Sequence, residues 1–267
     1  MQLEFLFDNL WQQYIKESPE SKQIYDLFSE TGEIITNDHI AFRTFDDPKI
    51  NVKAFSKILE KYGYEKKGDY QFPVKKLYAE HYEHKTMPNL PKIFVSELQT
   101  NKFSNYLQEI VKLIVSKIPL DLLDKEALLY SGVVWGELDH DVYIKLLNES
   151  EYAAWLYAFG FRANHFTIFV NNLKMYNTIE KINDFLKQNC FTLNSAGGEI
   201  KGTPDELLEQ SSTMANKVKV RFKQGEFEIL NSYYEFARRY HDNNGHLYQG
   251  FIAKSADKIF ESTNVHK

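Results

Sequence analysis

Apolar residues recur at helical spacing from the start of the chain. Leu3, Leu6, Phe7, Leu10, Trp11 and Tyr14 share one face, and helix is predicted over residues 3 to 30 with a break at Ser18-Pro19. Near residue 37 the period changes from 3.6 to two. Asn37-Asp38-His39-Ile40-Ala41-Phe42-Arg43 reads as a strand in which His39, Ala41 and Arg43 share one face while Ile40 and Phe42 enter the layer behind. Val52 to Tyr62 returns to helical spacing and stops at Gly63; strand-like runs follow at 64–72, 75–84 and 92–98. The order is β-α-β-β-β.

That order recurs further on. Ala163-Asn164-His165-Phe166-Thr167-Ile168 is a second strand led by a histidine. Leu173 to Gln188 is predicted helical, and 191–202, 217–223 and 226–237 supply strands. Between the halves, residues 102 to 160 read as helices: a stripe of Leu107, Ile110, Val111, Ile114 and Val115, then 122–129 and 143–159. The reading is an α+β protein of two β-α-β-β-β modules whose curved sheets face one cavity. Residues 1–101 form the first module with its leading helix, 102–160 a helical insertion and 161–267 the second module, all one catalytic unit.

The repeat gives the histidines their interest, because one histidine at a strand start is usually structural. His39 and His165 each follow a polar residue at the start of the equivalent strand. The last strong strand, 232–238, adds a carboxylate, and two histidines with a carboxylate from separate strands are the ingredients of a non-haem iron(II) facial triad. Glu226, Glu228 and Glu235 all compete for the third place. Glu235 is preferred because Tyr234 and Phe236 enclose it, and burying an ionised carboxylate is costly without a compensating cation. Arg238 and Arg239 offer a structural ion pair as the other explanation.

Arg43 lies on the His39 face, its Cα about 13 Å away at ordinary strand rise. It suits either a bidentate fork for a substrate carboxylate or an internal salt bridge with an acid such as Glu97. Lys75-Lys76 places one cation toward the cavity mouth, Lys76 being the candidate. The turn-rich 197–204 and the polar run 207–213 read either as a mobile lid, with Gln210 and Ser212 contacting substrate, or as a surface loop and short helix. No Gly-Lys-Ser/Thr closes the glycine segment, so it is not a nucleotide-phosphate loop.

Composition narrows the classes. Aromatics reach 15 %, with 20 Phe and 17 Tyr, as suits strand-rich layers and an apolar pocket. A net charge of −5 supplies no basic field for nucleic acid or anionic membrane. Cys190 is the single cysteine, too few for a disulfide framework or thiolate metal site, and is expected to be a small buried core residue. The N-terminal run lacks the basic lead-in of a secretory signal, and no run approaches the roughly 20 apolar residues of a membrane span. A cytoplasmic location is expected.

Seven ordered motifs together resemble the 2-oxoadipate dioxygenase/decarboxylase family: His-Ile-Ala-Phe-Arg-Thr-Phe at 39–45, Phe-Pro-Val-Lys-Lys-Leu at 72–77, Ile-Phe-Val-Ser-Glu-Leu at 93–98, Asn-His-Phe-Thr at 164–167, Gly-Gly-Glu-Ile-Lys-Gly at 197–202, Gln-Ser-Ser-Thr at 210–213 and Tyr-Glu-Phe-Ala-Arg-Arg at 234–239. The resemblance spans nearly the whole chain. It implies a vicinal-oxygen-chelate-like fold, Fe(II) held by His39, His165 and Glu235, and substrate contact by Arg43. The implied activity is oxidative decarboxylation and hydroxylation of a 2-oxo acid with O2, 2-oxoadipate giving 2-hydroxyglutarate and CO2 in lysine breakdown. The chain is shorter than larger family members, so substrate contacts supplied by their extra segments are not expected here. The rival readings are a metal-dependent hydrolase or lyase on the same site and a non-catalytic protein that binds a small acid.

Overall fold

The computed structural model describes residues 2–263. Its elements, in order, are α1 (Gln2–Glu17), α2 (Pro19–Glu30), β1 (Asn37–Phe45), α3 (Val52–Lys61), β2 (Tyr64–Phe72), β3 (Leu77–His84), β4 (Lys92–Leu98), α4 (Asn105–Ser116), α5 (His140–Glu149), α6 (Glu151–Phe159), β5 (Ala163–Phe169), α7 (Ile179–Gln188), β6 (Lys201–Thr203), β7 (Leu208–Ser212), β8 (Lys217–Phe222), β9 (Gly225–Leu230), β10 (Glu235–Arg239) and α8 (Ala253–Ile259). Eight strands form one mixed sheet in the order β2-β3-β4-β1-β5-β10-β7-β6, while β8 and β9 form a separate hairpin. The sheet is symmetric about its centre. β1 and β5 pair antiparallel, and each is flanked by the last strand of its own module running parallel to it, β4 beside β1 and β10 beside β5. The two module sheets thus join edge to edge through β1 and β5.

Local chemistry sets the boundaries. Asn51 caps α3 by accepting from the Ala54 N–H, and Thr178 caps α7 through the Lys181 N–H. The predicted helix from Leu173 therefore starts later, at Ile179; the N–H groups of Lys174, Met175 and Tyr176 go instead to the Glu33 carboxylate. The predicted helix over 143–159 is two helices, because Ser150 adopts an extended conformation, ends α5 and caps α6 through the Ala153 N–H. In place of a helix at 122–129 there is only a 3-10 turn at Glu126–Tyr130, which follows Asp124 in the left-handed region.

The second module departs most from its pattern. Gly197 and Gly198 both have positive φ and bend the chain away from an extended run at 191–202, leaving only Lys201–Thr203 as strand. The polar run after it is neither lid nor short helix: β7 is buried along its whole length, antiparallel to β10. The run expected at 226–237 splits at Asn231. Its backbone carbonyl accepts from the Trp155 indole, and its side chain binds Arg162 and the Glu17 carbonyl, so the chain leaves the hairpin there and enters the main sheet at β10. Cys190 is exposed, contrary to expectation. It follows the C-cap of α7 at φ +64, the left-handed residue that ends the helix rather than a core side chain. Among the described residues no helix is long and apolar enough to cross a membrane.

Candidate metal centre

β1, β5 and β10 are neighbours, and each delivers one ligand-type side chain to the same point. His39, His165 and Glu235 are 1–4 % exposed and offer ligand atoms all within 4.8 Å of one another. His165 Nε2 lies 3.0 Å from Glu235 Oε2, and His39 Nε2 lies 3.6 Å from Glu235 Oε1. The ring orientations follow from the preceding residues. His39 Nδ1 is 2.8 Å from Asp38 Oδ1, and His165 Nδ1 is 3.1 Å from Asn164 Oδ1. Both partners are oxygen acceptors, so each Nδ1 carries the proton and each Nε2 keeps its lone pair for the shared point.

Charge supports that arrangement. Arg239 on β10 grips Asp38 on β1 with two donors, at 2.6 and 2.8 Å, and donates also to the carbonyls of Tyr248 and Gly250. Desolvation opposes ionisation of Asp38, but Arg239 outweighs it and holds the carboxyl well below its usual range. Burial likewise works against the Glu235 carboxylate; His39, His165 and the Gln210 amide, 2.5 Å away, turn its shift downward. Burial lowers the His165 pKa despite the neighbouring Glu235, which favours the neutral imidazole that can ligate a metal. Two imidazole nitrogens and a carboxylate, braced behind and converging in front, fit a first-row divalent cation with coordination positions to spare.

The remaining residues singled out in the sequence fall around this point. Arg43 is 2 % exposed on the His39 face, and its guanidinium lies 4.9 Å from the ring centres of both Tyr152 and Trp155. One terminal nitrogen donates to the Thr263 hydroxyl at 3.2 Å, while Nε and the other terminal nitrogen have no partner among the described residues. Glu97 pairs in register with Thr44, on the opposite face, and accepts from the Val52 N–H, so it is not the ion-pair partner of Arg43. A cleft of about 340 Å³ reaches Arg43 from outside past Lys75, Lys76, Glu151 and Phe260. Lys76 stands at its rim, bonded to the Lys102 carbonyl and over the Phe103 ring, apart from the triad. Lys75 is paired with Glu261 at 2.6 Å.

Gln210 is drawn into the centre by its bond to Glu235, whereas the Ser212 hydroxyl turns to Ser262 at 2.9 Å. Glu226 and Glu228 are exposed on the β8–β9 hairpin, outside the main sheet, which leaves Glu235 in the third place. Sequence reasoning missed the segment after β10. Phe251 packs edge-on against His39 with ring centres 4.8 Å apart, and the turn after α8 brings Phe260 to the cleft, Ser262 to Ser212 and Thr263 to Arg43. The nearest signal was the short apolar cluster Leu247, Tyr248, Phe251 and Ile252 after a polar turn. A larger cleft, about 1080 Å³, lies elsewhere, between α2, α5 and the hairpin, and none of the triad lines it.

Residues 6–242 match the sequence profile of the 2-oxoadipate dioxygenase/decarboxylase family. The 2-oxoadipate dioxygenase/decarboxylase of Oryza sativa is 35 % identical over 97 % of this chain and 78 % of its own length. The crystal structure of hydroxyglutarate synthase from Oryza sativa in complex with 2-oxoadipate superposes with a TM-score of 0.92 at 33 % identity, covering 99 % of this chain and 92 % of that one. A Shewanella frigidimarina protein described as a hydrolase superposes with a TM-score of 0.88 at 47 % identity, over 94 % and 97 % of the two chains. A glyoxalase-superfamily protein of Ralstonia eutropha, 21 % identical with a TM-score of 0.77 over 93 % and 85 %, shares the fold, that of the vicinal-oxygen-chelate proteins.

Proposed function

The chain belongs to the 2-oxoadipate dioxygenase/decarboxylase family, and from that premise we propose that it is an iron(II)-dependent dioxygenase that decarboxylates and hydroxylates a 2-oxo acid. The preferred substrate is 2-oxoadipate, with 2-hydroxyglutarate and CO2 as products, a reaction that would serve lysine breakdown. The atoms balance with one O2: C1 leaves as CO2, C2 becomes the new carboxyl, and C3 gains the hydroxyl. One observation carries this reading, a buried His-His-Glu triad sharing its face of the sheet with an arginine whose fork is half unpaired.

His39 and His165 would hold the metal through Nε2 and Glu235 through its carboxylate. When bound, iron(II) supplies the redox chemistry with O2 that this oxidative decarboxylation requires. Asp38 and Asn164 keep the two rings in the ligating tautomer and orientation. Gln210 steadies the Glu235 carboxylate. Arg43 would bind a substrate carboxylate in its planar fork and fix the substrate relative to the metal. Phe251 and the turn after α8 keep bulk water from the ligand set, which protects reactive species from side reactions.

The test is reconstitution with iron(II), a panel of 2-oxo acids, and simultaneous measurement of O2 uptake and CO2 release. Equal uptake and release with 2-oxoadipate is the expected result. A protein that turns over substrate equally well without O2 is a hydrolase or lyase, and one that binds the acid but consumes nothing is a binding protein.

A further inference from the structure

Tyr233 sits two residues before Glu235, outside every role assigned so far. Its ring stacks on that of His165, with centres 4.6 Å apart and planes 26° from parallel. The side chain is 1 % exposed, yet its hydroxyl has no hydrogen-bond partner among the described residues. A buried hydroxyl without a partner is costly, so a fold retains one where it serves something besides stability.

The strand register shows where it points along the site. β10 runs parallel to β5 and antiparallel to β1, with Glu235 level with Thr167, and Thr167 level with His39. Two residues back along the same directions, Tyr233 reaches the level of His165 and Ala41, one step from His39 and Glu235 toward Arg43. The donors without partners here are thus the Tyr233 hydroxyl and two nitrogens of the Arg43 guanidinium, both on the Arg43 side of His39 and Glu235. Three donors suit one carboxylate, and the nearby acid Glu151 is engaged by Lys75 at 3.9 Å and by the Thr263 hydroxyl at 3.4 Å.

We propose that Tyr233 is a specificity-determining residue whose hydroxyl, with Arg43, receives the second carboxylate of a dicarboxylic 2-oxo acid while the keto-acid end lies at the triad. This rests on the proposed function. A monocarboxylic 2-oxo acid of equal length would leave all three donors buried and unpaired, and sites built that way reject the analogue strongly.

Tyr233→Phe removes the hydroxyl and keeps the stacked ring. Iron-loaded wild type and variant are compared under anaerobic conditions for binding of 2-oxoadipate and 2-oxohexanoate, then in air for kcat/KM. The variant should lose at least tenfold in its preference for the dicarboxylic acid, mainly by weaker binding of that acid, with unchanged affinity for 2-oxohexanoate and unchanged iron content. Its thermal midpoint without substrate should equal or exceed that of wild type, since the hydroxyl satisfies nothing in the free protein. Tyr234→Phe is the control. That hydroxyl also lacks a partner, but its ring packs on Trp11, Tyr14 and Phe236 on the opposite side of the strand, so the preference should not move. An unchanged preference in Tyr233→Phe overturns the proposal, as does a lowered midpoint with equal loss for both acids, the sign of a structural role. A wild type that neither binds nor consumes any 2-oxo acid overturns the proposed function instead.

Discussion

His39 in the first module and His165 in the second occupy matching positions, and so do Asp38 and Asn164 before them, each engaging the Nδ1 of its histidine. The match extends to the flanking strands: Ala41 lies level with Phe94 of β4, as Thr167 lies level with Glu235 of β10. Phe94 therefore stands where a second carboxylate would complete the symmetry. It is 5 % exposed and packs on Tyr70 and on Phe251, the ring that covers His39. A duplicated sheet thus presents four inward positions at its centre. This chain arms three and fills the fourth with an apolar ring, which would leave coordination sites open on a metal bound there.

The largest effect should come from removing a matched ligand. His165→Ala is expected to abolish both metal retention and turnover, read as metal per chain after dialysis and as rate; wild-type activity in that variant would end the metal assignment. Arming the fourth position is the reciprocal experiment. Phe94→Glu should retain metal at least as well as wild type but lose at least a hundredfold in rate, because a fourth protein ligand takes a place that the substrate needs. The buried acid should also destabilise the metal-free protein, so metal addition should raise its Tm more than it does for wild type.

Arg43 has no cationic counterpart, since the second module places Phe169 at the matching position of β5. Truncating such a buried charge-assisted contact costs roughly 2–5 kcal/mol, so Arg43→Ala should lower kcat/KM at least tenfold with metal content unchanged, and Arg43→Lys should lower it less. A variant that loses metal and fold together would make Arg43 structural. Asp38→Asn equalises the two residues behind the histidines and should weaken metal binding about tenfold. Because the Asp38 carboxyl is held below its usual range, its stabilisation is present above about pH 4 and lost as pH falls further. The substitution should flatten that acid limb in a pH series of unfolding curves.

The smallest effect concerns the turns that follow the module helices. Gly63 after α3 has φ +83, and Cys190 holds the same place after α7 at φ +64. Cys190→Gly should gain about 1 kcal/mol by relieving the left-handed side chain, and Cys190→Ser should change almost nothing. Thermal unfolding measures both.

The first module was readable because its strands alternate cleanly and Asn51 and Gly63 bracket its helix. The triad was readable because a polar residue precedes each histidine and because Tyr234 and Phe236, packed behind the strand, mark Glu235 as buried. β7 was not, since a strand whose polar groups face a buried site, as Gln210 does toward Glu235, carries the composition of a loop. Phe94 as the counterpart of Glu235 required the register, which follows from pairing between distant strands rather than from any local pattern. Phe251 and Tyr233 act through what they stack against, and neighbours of that kind are set only when the chain closes.

The grip of Arg239 on Asp38 joins residues 201 positions apart, and this sets when a metal held by the triad could be acquired. During synthesis His39 emerges early, but a lone imidazole competes poorly for a cation against the ligands of the cell. His165 adds a second donor much later, and the third, with the guanidinium that braces the first, comes only when β10 has been made and has threaded in between β5 and β7. Ion capture would therefore be coupled to a late long-range closure of the fold. The chain would then meet a metal pool with its cage complete, so that the geometry is fixed before any cation is chosen.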